Sequence, residues 1–127
     1  MNWDMVNRLN TQVIIENLDE YKNEVLRTAR GMNDAYPTLF NAMLGLGGES
    51  GECLDIVKKW AFQGHELDEG HLAEELGDVL WYVTLATTCI GYDLTDIIQM
   101  NVDKLRTRYP EGFDADRSVN REKYHVE

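Results

Sequence analysis

Apolar residues recur every three or four positions along most of this chain, and the recurrence sets out its helices. Leu39, Met43, Leu46, Cys53, Leu54 and Val57 fall on one arc. They predict a helix that starts at Pro37, runs to about Ala61 and stops at Gly64. Leu72, Leu76, Val79, Leu80 and Val83 predict a second long helix over 69–90, ended by Gly91. Tyr21, Val25, Leu26 and Ala29 predict a helix over 19–30, with Asp19 as N-cap and Gly31 as its close. Asp93 caps another, over about 94–108, which ends before Pro110. The spacing of Trp3, Val6, Leu9 and Val13 allows one more. Period-two alternation is nearly absent, so strands are not expected.

The expected fold is therefore all-α. It has four to five helices, with two long antiparallel central ones, assembled as a helical-bundle oligomer. Residues 1–18 read as an N-terminal extension, 19–113 as the domain, and 114–127 as a polar, extended tail.

Length and charge narrow the function. At 127 residues the chain fits one domain with a small core, which subunit association would help. Its formal net charge of −11 argues against nucleic acid or an anionic membrane as partner. The longest apolar run, VLWYVTLATTCI, is too short to span a bilayer, and MNWDMVNRLN lacks the regions of a signal peptide. Cys53 and Cys89 give no disulfide framework and read as buried thiols in a reducing cytoplasm.

Four acids stand where apolar residues are expected. Glu49 and Glu52 are one turn apart on the margin of the first arc; Glu75 and Asp78 repeat the arrangement on the second. An isolated E-x-x-E is ordinary on a solvated helix face. A second pair on the partner helix is not, because four facing carboxylates repel unless a cation intervenes. Hard oxygen ligands suit Mg²⁺, or Mn²⁺. A di-iron site is disfavoured, since none of His65, His71 or His125 stands three residues after a glutamate of these pairs.

Asn101, Lys104 and Arg108 share a face of the last long helix. They suit a polyphosphate, or they snorkel from an apolar stripe. Lys59 is a further candidate, beside Lys58; Glu74 and Arg106 read as solvated. Within GLGGESGE, residues 45–52, glycine costs about 1 kcal/mol per position in a helix. Close approach of a helix or of substrate would account for Gly45, Gly47, Gly48 and Gly51, with Glu49 and Glu52 facing Glu75 and Asp78.

GLGGESGECLDIVKK, EELGDVLWY and NVDKLRTRYPEGF resemble the MazG-like nucleotide pyrophosphohydrolases of the all-α NTP pyrophosphatase group. The resemblance runs from about Tyr21 to Phe113. It implies Mg²⁺-dependent hydrolysis of nucleoside triphosphates to monophosphate and pyrophosphate, in house-cleaning or nucleotide-pool control. By the same resemblance, Glu49, Glu52, Glu75 and Asp78 hold the metal, and one of them takes a proton from the attacking water. Asn101, Lys104, Arg108 and Tyr109 contact phosphates, and Trp60 and Tyr82 are candidates for stacking the base. A homodimer or a homotetramer built as a dimer of dimers is implied. A dUTP, dCTP or phosphoribosyl-ATP pyrophosphatase shares these motifs, and a non-catalytic dimerisation or regulatory module is the alternative outside enzymes.

Overall fold

The structure, a computed structural model, describes residues 13–29 and 34–124. These residues form five helices: α1 Leu18–Thr28, α2 Ala35–Phe62, α3 Glu69–Cys89, α4 Leu94–Arg108 and α5 Ala115–Val119. A 3₁₀ turn, Arg121–Tyr124, closes the segment, and no strand occurs among the described residues. The fold is all-α, as expected.

Each long helix begins on a side chain that satisfies a free backbone N–H. Asn17 caps α1 by accepting from Glu20 N at 2.9 Å, which corrects the expectation of Asp19. Asp19 instead lies in the first turn, where its charge favours the helix dipole. Asp34 caps α2, and Pro37 falls in the first turn, where a missing N–H costs nothing. Asp68 accepts from His71 N at 2.9 Å to start α3. At α4, Asp96 reaches back to the backbone N of Asp93 at 2.9 Å. Gly64 (φ 73°) and Gly91 (φ 82°) take the left-handed turns after α2 and α3. Gly31 and the spacing of Trp3, Val6 and Leu9 lie outside the described residues; Val13 is in a non-helical stretch.

The tail is the clearest departure. Expected to be extended, it forms α5, capped by Asp114, and the 3₁₀ turn that packs back on α4. Its polar composition hid the contacts that fold it.

The hairpin of α2 and α3 is the frame. Residue 45 lies against 82 and residue 49 against 75 and 78, so the two helices run antiparallel. α1 is tied across them: Trp81 Nε1 donates to Thr28 Oγ1 at 2.8 Å, and Lys22 pairs with Asp93. Val25, Ala42, Leu85 and Ala86 make the buried cluster, with Tyr21, Leu39, Trp81 and Tyr82 around it. The buried hydroxyls of Thr84 and Thr87 bond to carbonyls one turn back, so burying them leaves no donor unpaired.

This core is smaller than the apolar arcs promised. Met43, Leu54, Leu76 and Leu80 were expected inside, yet Leu54 is 71% and Leu76 54% exposed. One neighbouring helix covers only part of a broad arc, and among the described residues no other element lies over these side chains. Cys53 and Cys89 are likewise only half-buried. No helix among the described residues is long and apolar enough to cross a membrane.

Of the four glycines in α2, only Gly45 meets a neighbour. A Cβ there would lie 2.2–2.6 Å from three carbons of the Tyr82 ring, whereas Gly47, Gly48 and Gly51 have nothing within 4 Å. The expected tight contact thus holds at one position of four. Gly45→Ala should destabilise the protein by about 1–3 kcal/mol through overpacking, despite alanine's better helix propensity. Urea denaturation at fixed protein concentration measures this; a variant as stable as the parent would mean that Tyr82 does not set the helix separation.

Candidate metal centre

Glu49 comes from α2, and Glu75 and Asp78 from α3. The antiparallel register brings one carboxylate oxygen from each within 4.8 Å of the others. Glu49 and Glu75 are half-buried and Asp78 is exposed. Such oxygens can converge on one hard divalent ion with small side-chain adjustments. Glu52, one turn beyond Glu49, is exposed and stands outside the trio.

Glu49 and Glu75 lie within hydrogen-bonding reach of each other. That contact is the main reason the Glu49 carboxyl is pushed above its ordinary value. Partial desolvation and the charges of Glu75, Asp78 and Glu52 push the same way. The hydroxyl of Tyr21, on α1, is also raised, by burial first and then by the charge of Asp78. α1 therefore reaches the field of the acid cluster.

His71 is a neighbour that the sequence reading passed over. Its Nε2 lies 2.9 Å from Glu75 Oε1. The di-iron pattern places a histidine three after a glutamate, but a histidine four before one lies equally close on a helix. That spacing was the available signal.

The other candidates are distributed around this centre. Lys59 pairs with Asp55 at 2.5 Å and Lys58 with the same carboxylate at 3.2 Å. Trp60 is half-exposed at the far end of α2. Tyr82 packs on Gly45 and meets Trp81 edge-on at 4.9 Å between centroids, so it acts as a spacer between α2 and α3. On α4, Asn101 and Lys104 are exposed, and no ion pair joins that face to the acid cluster among the described residues. Arg108 is half-buried with its guanidinium 5.9 Å from the Tyr109 ring, and Tyr109 leans on Phe113 at 5.5 Å.

Acids paired across an antiparallel helix hairpin, followed by a basic helix, are the features that comparison with known proteins bears on. Residues 38–113 match the MazG nucleotide pyrophosphohydrolase domain, and the chain belongs to that family. It is also similar to the gene 37 protein of Mycobacterium phage L5, 32% identical over 92 residues, which cover 69% of this chain and 81% of that protein. No solved structure matches the chain. The family carries nucleotide pyrophosphohydrolase activity in general, and an acidic cluster suited to a divalent metal is present here.

The raised Glu49 carboxyl has a defined consequence for stability. A carboxyl whose folded pKa is raised stabilises the fold below its ordinary value of 4.5, and that stability is lost as pH rises through the folded value. Without added metal, Glu49→Gln should therefore raise the Tm by a few degrees at pH 7.5 and make little difference at pH 5. It should also weaken the stabilisation that Mg²⁺ gives the parent. Thermal scans at the two pH values, with and without Mg²⁺, check this. A variant that melts lower than the parent at both would refute carboxylate repulsion at this site.

Proposed function

We propose that the protein hydrolyses nucleoside triphosphates, ribo or deoxy, to the monophosphate and pyrophosphate with Mg²⁺ as cofactor, Mn²⁺ being an alternative. One observation carries this reading: in a MazG-family chain, Glu49, Glu75 and Asp78 converge from two helices on a point that a hard cation can occupy. These three carboxylates would hold the ion. Bound there, it would neutralise phosphate charge and acidify a water molecule. Glu52 lies outside the trio and is the carboxylate left to accept a proton from the attacking water. Asn101, Lys104, Arg108 and Tyr109 would receive the phosphates, with charge on the leaving pyrophosphate offset by Lys104 and Arg108. Lys59 is a weaker candidate because Asp55 already engages it. Tyr82 and Trp60 remain candidates for the base, Tyr82 with a spacer's role as well.

The working form would be a homodimer or a dimer of dimers. Phe40, Leu44, Leu54 and Leu76 supply exposed apolar surface on the α2–α3 hairpin. A second copy of the same hairpin is the partner that fits, and it would cover apolar surface on both chains at once. An activity on free nucleotides fits house-cleaning or nucleotide-pool control in the cytoplasm.

Two measurements test these readings. Pyrophosphate release from a panel of standard and damaged NTPs and dNTPs should require Mg²⁺. Asp78→Asn should lower kcat/KM by roughly 100-fold or more. Full activity in that variant would sink the assignment of the acids. In sedimentation at micromolar concentration the protein should run as two or four chains; a stable monomer would refute the oligomer.

A further inference from the structure

We infer that residues 114–124, beyond the family match, form a clasp in which Arg117 is a positioning residue for the Arg108–Tyr109 end of α4. The inference rests on the proposed role of Arg108 and Tyr109 as phosphate contacts, and it extends that role to a segment no motif covers.

The need for a clasp begins with the end of α4. A helix leaves its last carbonyls without intrahelical donors. Here Pro110 has no N–H to offer. Tyr109 N still reaches Leu105 O at 2.8 Å, and Gly112, at φ 100°, turns the chain so that its N–H meets Tyr109 O at 3.2 Å. The carbonyl of Arg108 is met by a side chain nine residues on: Arg117 Nη1 donates to it at 3.2 Å. A guanidinium at a helix C-terminus also complements the helix dipole.

Arg117 is itself held from several sides. Its backbone N donates to Asp114 Oδ1 at 2.9 Å. Its guanidinium carbon lies 4.1 Å from the centroid of the Tyr124 ring. The Tyr124 hydroxyl donates to Asp116 Oδ2 at 2.8 Å, and Asn120 Nδ2 donates to Asp116 Oδ1 at 2.6 Å. These two hydrogen bonds, that from Tyr124 first, hold the Asp116 carboxyl below its ordinary value. Asp114, Asp116, Asn120 and Tyr124 thus combine to aim one guanidinium at one carbonyl. That carbonyl belongs to the residue whose side chain lies along the Tyr109 ring, and Tyr109 in turn leans on Phe113. Loss of the clasp would let the last turn of α4 fray, and Arg108 and Tyr109 would lose their common direction.

The test uses the full chain and the variants Arg117→Ala, Arg117→Lys and Tyr124→Phe. In the pyrophosphate-release assay Arg117→Ala should raise KM for the triphosphate at least about five-fold, with kcat within about two-fold and the Mg²⁺ requirement unchanged. Arg117→Lys should recover only part of the loss, because an ammonium lacks the planar fork. Tyr124→Phe, which keeps the ring under the guanidinium, should fall between. Amide exchange at residues 106–112 should quicken in Arg117→Ala. Quicker exchange with an unchanged KM would reduce Arg117 to a helix cap and overturn the proposal, as would unchanged exchange. If the parent hydrolyses no triphosphate, the functional reading fails by itself. Binding of inorganic tripolyphosphate with Mg²⁺ then decides the clasp: weaker binding by Arg117→Ala supports it, and equal binding overturns it.

Discussion

The contact between the Tyr82 ring and the backbone at Gly45 governs how closely α2 and α3 run. A helix position without a Cβ is unfavourable in isolation. Here it admits an aromatic ring between the two longest helices. Glu49 lies one turn after Gly45, and Asp78 one turn before Tyr82. The separation set at the ring is therefore passed along both helices to the acids within a single turn. Ala42 and Leu85, which flank the same contact, belong to the buried cluster, and Trp81 beside Tyr82 carries the hydrogen bond that ties α1 down.

Local electrostatics oppose that packing. The hairpin holds like charges together instead of separating them, and it gathers three acids near the Gly45–Tyr82 contact. Lys58 and Lys59, the nearest cations along α2, are engaged with Asp55. Among the described residues, His71 is the one basic side chain that reaches a member of the trio. A site that departs in this way from what stability alone would favour is where chemistry is expected. It also explains why the buried cluster lies toward the other end of the hairpin, around Ala42, Leu85 and Val25.

Much of this was legible in the sequence because helix rules are local. Apolar spacing located α1 to α4, Gly64, Gly91 and Pro110 marked the ends of α2 to α4, and i,i+3 geometry placed Glu75 and Asp78 on one face. What escaped notice depends on partners distant in sequence or on details of a single turn. Asn17 and Asp19 are both good caps, and only the backbone conformation chooses between them. Whether a glycine meets a ring or open space is a property of the opposite helix. Leu54 and Leu76 carry a core-like pattern, but apolar spacing does not tell whether a second helix of the fold reaches that part of the arc. The tail was misread because its folding relies on Arg117 and Tyr124, residues that in composition look like solvated surface.

The convergence of Glu49, Glu75 and Asp78 bears on ion selectivity. A cation that enters the centre would relieve the repulsion among carboxylates held this close. A monovalent ion would offset only one of the negative charges gathered there. A divalent ion would offset two, in a place where the charge of Glu52 adds its attraction. The carboxyl contact thus discriminates by valence before size or coordination geometry enters. It would let the hairpin ignore the abundant potassium and sodium of a cell while staying responsive to scarcer doubly charged ions.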